Sequence, residues 1–328
     1  MKINFLFIFF FISIICKGQQ SATLVVNWND HIAIPIRKDI NKLNKKVISA
    51  FYNNNSNELI SLFSKRMRLN NLEQTPLLTE AAHKIFKSSR YSILDEYQIK
   101  NSNIGSVGTV FKSFSNENDY KVNYNIRTEL TYISLLIYSG PITQWLITVI
   151  YGFYGNHWEI QELFIGQYKV LKKNSIAYFE LAQNDYREGN LIGAANNLLI
   201  SKVTQNPGGN AFSYFKQPEI NSFRNIIEQK LKNINFPIIV SQIPSSPQIF
   251  GIDPIINKNG VFPCIKYVSK IKIKDTINLK KENNLIQGIL ENILPKITVN
   301  KRYIFFKAYN RTNIIDDKTT FHEFILKK

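Results

Sequence analysis

The chain has 328 residues, of which 41 are lysine or arginine and 24 are aspartate or glutamate, so its formal net charge is +17. Such an excess allows a polyanionic partner. However, the sequence contains no arginine-rich arm, no zinc-finger spacing and no aromatic-glycine RNA motif, so we expect no nucleic-acid partner. Its length allows two or three domains.

The first eighteen residues have the pattern of a secretory signal peptide. A basic residue precedes an apolar run over residues 3–15, which is shorter than the roughly 20 residues that cross a bilayer as a helix. Gly18 is small, and Gln19 is the predicted first residue of the mature chain. The alternative is a lipoprotein anchored through Cys16, although Ile15 is bulky for the position before a lipid-bearing cysteine. We expect an exported protein, periplasmic or secreted, with no transmembrane segment after cleavage.

Residues 19–170 predict helices followed by strands. Apolar residues at steps of three and four predict a first helix over residues 40–51, and a short second helix follows at residues 58–64. A third helix is predicted with Thr79 as its N-cap. Strand patterns follow, and the last two strands form a predicted hairpin with its turn at Gly155-Asn156.

Helices followed by a curved antiparallel sheet, whose last strand carries Trp158, Ile160 and Leu163, resemble the nuclear-transport-factor-two-like cone, also called ketosteroid-isomerase-like. The resemblance covers roughly residues 39–170. It implies a cone-shaped pocket, and the catalytic members of the family need a carboxylate or histidine inside it as general base or acid. Many members are not catalytic, so the fold does not decide the function.

The candidates for such a catalytic role are Asp95, Tyr97, His157 and Glu162. Asp95 and Glu96 lie where a helical pattern gives way to a loop, which predicts solvated carboxylates. His157 falls in the predicted turn and is expected to be exposed. Glu162 lies on the last strand without an evident partner. We therefore expect no catalytic residue and leave the ligand-binding residues unassigned.

Residues 175–199 predict a helical hairpin. The spacing of Tyr178 and Ala182 resembles a single tetratricopeptide repeat, although Asp185 stands where that repeat has an aromatic residue. The flanking segments carry no further copies, and such arrays need about three copies to bury their faces. We predict a hairpin with a covering helix over residues 171–235, as a structural connector in preference to a partner-binding groove.

The C-terminal part, residues 236–328, predicts a small α+β domain. Cys264 is the single cysteine after Gln19, and its apolar neighbours indicate a core residue. The polar residues that could be tested as metal ligands have no recognised metal-site spacing; they are Asp316, Asp317, His322 and Glu323. We expect no metal ion and no cofactor.

A basic stretch in this part alternates Lys270, Lys272 and Lys274 with Ile271 and Ile273. If the stretch is a strand, the three lysines share one face. One explanation is protection of an exposed strand against edge-to-edge aggregation, and the other is a phosphate-bearing partner. We favour protection, because no aromatic or arginine side chain accompanies the lysines.

The complete prediction is an α+β protein in four segments. A signal peptide (residues 1–18) precedes a cone-like domain (19–170), a helical hairpin with its covering helix (171–235) and a small α+β domain (236–328). We expect a non-catalytic binding or scaffold protein of the cell envelope, whose partner is an envelope protein or a small apolar ligand. The alternatives are an isomerase-like or cyclase-like enzyme using the cone pocket, and a binder of an anionic polymer or lipid surface.

Overall fold

The computed structural model describes residues 25–111, 119–311 and 320–328. The predicted signal peptide and its cleavage site lie outside the described residues. The described residues form eight α-helices and three β-sheets, which confirms the α+β class. None of these helices combines the length and the apolar character needed to cross a membrane.

The chain divides into two compact units. The first unit runs to Asn174 and also includes Val203–Gln217, so the chain leaves this unit and later returns to it. The second unit consists of Ser175–Lys202 and Pro218–Lys328.

The first unit contains four helices, which are α1 (Ile34–Tyr52), α2 (Ser56–Ser61), α3 (Lys65–Asn71) and α4 (Thr75–Ile85). Helix α3 was not predicted, because seven residues are too few to show a clear helical period. The predicted N-cap at Thr79 is wrong, since Thr79 lies inside α4 and its hydroxyl donates to the Pro76 carbonyl at 3.0 Å. Pro76 lies in the first turn of α4, where a backbone N–H has no partner within the helix, so proline is well tolerated there. This favours a start of α4 at Thr75, before the predicted N-cap.

The strands of the first unit are β1 (Val25–Trp28), β2 (Ser92–Lys100), β3 (Val107–Phe111), β4 (Tyr120–Asn125), β5 (Leu130–Ser139), β6 (Thr143–Tyr154), β7 (His157–Val170) and β8 (Phe212–Tyr214). One sheet has the order β1-β2-β5-β6-β7 and the other β3-β4-β8, with every pair antiparallel. The turn between β6 and β7 lies at Gly155-Asn156, as predicted, and Gly155 has the positive φ of 61° that such turns require.

The helices cover one face of the five-stranded sheet. Buried side chains of the helices pack against Tyr132, Leu136 and Val149, which alternate along β5 and β6. Asn44 on α1 is also buried and donates a hydrogen bond to the Ser134 hydroxyl at 3.1 Å. Successive side chains of a strand point to opposite faces, so the apolar residues at alternate positions define the face that the helices cover.

The returning segment Val203–Gln217 lies on the opposite face of this sheet. Its strand β8 pairs with β4, with Tyr214 opposite Tyr120. A Cβ atom added at Gly166 on β7 would stand 2.5 Å from the Pro207 carbonyl oxygen, so the two backbones are in close contact there. No local sequence pattern predicted this return.

The second unit contains helices α5 (Ser175–Arg187), α6 (Leu191–Val203), α7 (Gln217–Leu231) and α8 (Thr276–Ile293) and strands β9 (Ile238–Ile239), β10 (Gln248–Asn257), β11 (Gly260–Val268), β12 (Tyr303–Tyr309) and β13 (His322–Lys327). The sheet order is β13-β12-β11-β10-β9. Strands β11 and β12 are parallel, and α8 forms the crossover between them. The core contains Ile265, Ile286, Leu290 and Phe306.

Helices α5 and α6 run antiparallel. The Ser175 hydroxyl at the start of α5 donates to the Ser201 carbonyl near the end of α6 at 2.9 Å. The small residues Ala182 and Ala194 are fully buried. The two helices joined by a short turn agree with the predicted hairpin. Its resemblance to a tetratricopeptide repeat stays a prediction.

Cys264 is a buried free thiol, as predicted. Burial raises the pKa of this thiol to about 12, so the reactive thiolate is scarce at neutral pH.

The basic stretch after β11 is not a strand. Residues 269–275 are irregular, and Asn310 holds them through hydrogen bonds to the Ile271 carbonyl (2.6 Å) and from the Ile273 N–H (2.9 Å). Lys270 and Lys272 are exposed, whereas Ile271 and Ile273 are half-buried. Exposed and half-buried side chains therefore alternate here although the stretch pairs with none of the described strands. Edge protection therefore does not explain these lysines.

Candidate functional site

The two adjacent carboxylates Asp95 and Glu96 are buried in strand β2. Their predicted place in a solvated loop is wrong. Strand β2 pairs with β5, with a register shift between Ile93 and Asp95, and this long-range pairing overrides the helical appearance of the local sequence. Adjacent strand residues point to opposite faces, so the two side chains have different surroundings.

Asp95 is held by hydrogen bonds on both oxygens. Asn29 donates to Oδ1 at 3.0 Å, and the Tyr120 hydroxyl donates to Oδ2. Tyr97, another candidate, is buried beside this pair, and burial raises the pKa of its hydroxyl. Both oxygens of the buried Asp95 carboxylate are therefore engaged by neighbouring side chains.

Glu96 lies on the helix-covered face. Arg37 of α1 donates from Nε to Glu96 Oε2 at 3.1 Å and from a terminal nitrogen to the exposed Asp30 at 3.0 Å. Tyr132 is close by, and burial together with the Glu96 charge raises the pKa of its hydroxyl. Arg37 therefore neutralises the buried carboxylate and joins α1 to the sheet.

His157 is exposed at the start of β7, as predicted, and its Nε2 lies 2.9 Å from Glu159 Oε1. The same strand carries Glu162, which has surroundings of a different kind. The Glu162 side chain is only 12% exposed and belongs to an open recess.

Three elements form this recess, which we call the Glu162 recess. Helix α3, the end of β4 with the residues after it, and strand β7 supply its lining, which consists of Met67, Asn70, Asn71, Asn125, Arg127, Gln161, Glu162, Leu163 and Phe164. Its volume is about 70 Å³. This is well below the range of roughly 300–1,000 Å³ typical of pockets that enclose a small molecule, so the recess accepts a single polar group.

Hydrogen bonds orient the Glu162 carboxylate. Asn125 donates from its side chain to Oε1 at 2.8 Å, and an Arg127 nitrogen lies 3.7 Å from the same oxygen. Within the described residues, the hydrogen bonds to Glu162 and the contact with Arg127 all involve Oε1, which leaves Oε2 without such a partner. Burial raises the pKa of Glu162 above its ordinary value of 4.5, while Asn125 and the charges of Arg127 and Arg66 oppose the rise.

Sequence reasoning named Glu162 as a candidate but set it aside for lack of a partner, and it missed Arg127 and Asn125. Both residues lie more than thirty positions earlier in the chain, beyond the reach of any local pattern. Strand β4 pairs with β3 and β8 in the other sheet, so packing within the first unit, and not pairing with β7, brings these residues to Glu162.

The raised pKa of Glu162 predicts a pH-dependent stability. The neutral carboxyl is favoured in the folded state, so its contribution is complete below pH 4.5 and is lost as the pH rises through the folded-state pKa. We expect Glu162→Gln to gain stability relative to the unmodified protein between pH 4 and pH 7, as measured by urea unfolding at both values.

Glu80 provides the matched control. Its ion pair with Lys84 lowers the pKa of the Glu80 carboxyl, so Glu80→Gln should change relative stability in the opposite direction over the same pH interval. If the stability of Glu162→Gln followed the unmodified protein at both pH values, the carboxylate would not be buried as described.

The described residues contain no group of three or more His, Cys, Asp or Glu side chains that could hold a metal ion. His322 and Glu323 lie on β13, and Glu323 faces Lys307 at 3.8 Å. Asp316 and Asp317 lie outside the described residues.

Comparisons of the chain with protein-family models, with curated proteins and with solved structures gave no match. The cone and tetratricopeptide resemblances therefore remain predictions.

Proposed function

We propose that this protein is exported to the cell envelope and acts there as a non-catalytic binding or scaffold protein, which holds a polar group of its partner in the Glu162 recess. The proposed export depends on the signal-peptide pattern of residues 1–18, with attachment through Cys16 as the alternative. The observation that carries the binding role is a nearly buried carboxylate with one available oxygen in a recess too small to enclose a substrate.

The chemistry of the recess favours a hydrogen-bond donor. Glu162 Oε2 can accept from an ammonium, guanidinium or hydroxyl group, and Arg127 and the neighbouring asparagine amides can bind acceptors beside it. A hydrogen bond to a charged group contributes about 1.5–3 kcal/mol. One such group suits the side chain or end of a larger molecule, so an envelope protein fits the recess better than a small apolar ligand.

An enzyme is the second candidate, and one observation favours it. A carboxyl whose pKa is raised by burial can act as a general acid or base. The small volume of the recess weighs against this role, because a reacting substrate needs to be held on several sides.

Capture from envelope extract tests the binding role. We expect immobilised protein starting at Gln19 to retain a partner, and Glu162→Gln to retain it about tenfold less, since one charge-assisted hydrogen bond is weakened. Glu159→Gln on the same strand, outside the recess lining, is the matched control and should retain the partner fully.

Equal retention by both variants would contradict the proposed site. Conversion of an extract component that depends on Glu162 would instead support the enzyme. Circular dichroism at the temperature of the capture experiment establishes that both variants are folded.

A further inference from the structure

Three leucines are exposed where α3 meets α4. Leu69 is 75% exposed, Leu72 is 55% exposed and Leu77 is 67% exposed. A single exposed leucine is ordinary, but three within nine residues concentrate exposed apolar side chains at the junction of two helices, as interaction sites do. We call these three residues the leucine corner.

Positive charge borders the leucine corner. Helix α3 carries Lys65, Arg66 and Arg68, all exposed, and its sequence contains no acidic residue. Of the acidic residues that follow, Glu73 is exposed, and Glu80 forms an ion pair with Lys84 at 2.6 Å. Between Lys65 and Leu77 the chain therefore carries three basic residues and one acidic residue, an excess of positive charge beside the leucines.

The charge decides between the possible occupants. A second copy of this chain would bring another basic α3 and another net charge of +17 to the contact, and like charges oppose such pairing. An anionic lipid surface attracts basic side chains and accepts leucines at the boundary between head groups and acyl chains. We propose that the leucine corner docks the protein on an anionic lipid bilayer.

This docking surface is distinct from the Glu162 recess. Helix α3 turns Met67, Asn70 and Asn71 to the recess, whereas Leu69 is not part of its lining. Glu162→Gln should therefore leave lipid binding unchanged. The proposal of lipid docking and the proposal of partner binding in the Glu162 recess can thus be contradicted independently of each other.

Vesicle co-sedimentation tests the proposal, with phosphatidylcholine vesicles that contain or lack phosphatidylglycerol. The protein used begins at Gln19, because the apolar run before it would itself bind lipid. We expect binding to the anionic vesicles alone, weakened by salt. The combined variant Leu69→Ser, Leu72→Ser and Leu77→Ser should bind at least about tenfold less.

The charged part of the surface has its own variant. Replacing Lys65 by glutamine should weaken binding by about fivefold; Arg66 is kept, because its charge also acts on Glu162. The matched control is Ile277→Ser with Leu285→Ser on α8, where the side chains are 71% and 52% exposed; this control should bind like the unmodified protein.

Several outcomes would overturn the proposal. They are absent binding to anionic vesicles, full binding by a folded leucine variant, or loss of binding only when Lys270, Lys272 and Lys274 are replaced by glutamine. Concentration-dependent self-association that the leucine variant abolishes would instead assign the corner to a contact between copies. Melting curves establish that each variant is folded.

Discussion

Replacing Gly166 with valine should lower the free energy of unfolding by about 3 kcal/mol, the upper part of the range for overpacking. A Cβ atom at this position would lie 2.5 Å from the Pro207 carbonyl oxygen and 2.8 Å from the Pro207 Cα atom. Backbone atoms cannot rotate away as a side chain can, so β7 or the returning segment must move. Chemical denaturation of both proteins measures the loss.

The control for this substitution is Gly251→Val. Gly251 lies on β10, and a Cβ atom there meets nothing within 4 Å, so we expect a change within about 0.5 kcal/mol. If Gly166→Val were equally harmless, the segment Val203–Gln217 would not lie against β7.

Replacing Lys301 with methionine should lower the free energy of unfolding by about 3 kcal/mol, because it leaves a buried carboxylate without its cation. Lys301 Nζ lies 3.3 Å from Asp185 Oδ2, and the two side chains are 15% and 9% exposed. Burial raises the pKa of Asp185, while Lys301 and a hydrogen bond from Asn197 oppose the rise. The pair joins α5 to the segment before β12 within the second unit.

Urea unfolding of three variants and the unmodified protein tests this pair. Adding Asp185→Asn to Lys301→Met should restore part of the stability, since no charge is then left unpaired. The exposed residue Lys280 supplies the control, and Lys280→Met should change stability by less than about 0.5 kcal/mol. The defect of Lys301→Met should also shrink at low pH, where Asp185 becomes protonated. A defect independent of pH and of Asp185 would contradict the account.

Local patterns predicted much of the fold. The helical period identified α1, and Gly155 located the hairpin turn between β6 and β7 because only a few residue types tolerate a positive φ there. These features depend on neighbouring residues alone. The same holds for Cys264, whose apolar neighbours indicated its burial.

Long-range pairing accounts for what was missed. Asp95 and Glu96 follow a helical pattern, yet β5 recruits them into the sheet and buries them. Asp185, which departs from the tetratricopeptide pattern, forms a buried ion pair with Lys301, which lies 116 residues away in the sequence. No local period contains information about such a partner.

In the candidate site, too, local sequence patterns predicted some features and long-range contacts determine the others. Glu162 could be placed on the last strand from alternation alone, but its availability as an acceptor depends on Asn125 and Arg127. The recess exists because α3, an element too short to predict, lies against that strand. A recess that three distant segments form could not be read from any one of them.

Photo-crosslinking in intact cells tests the central claim most directly. A photoreactive phenylalanine derivative at Asn70, an exposed lining residue of the Glu162 recess, should form an adduct with an envelope partner, and adding Glu162→Gln should remove that adduct. The same derivative at Asn259, which is exposed in the second unit, should not form it. Absence of any adduct from position 70, or the same adduct from both positions, would contradict a binding role for the Glu162 recess.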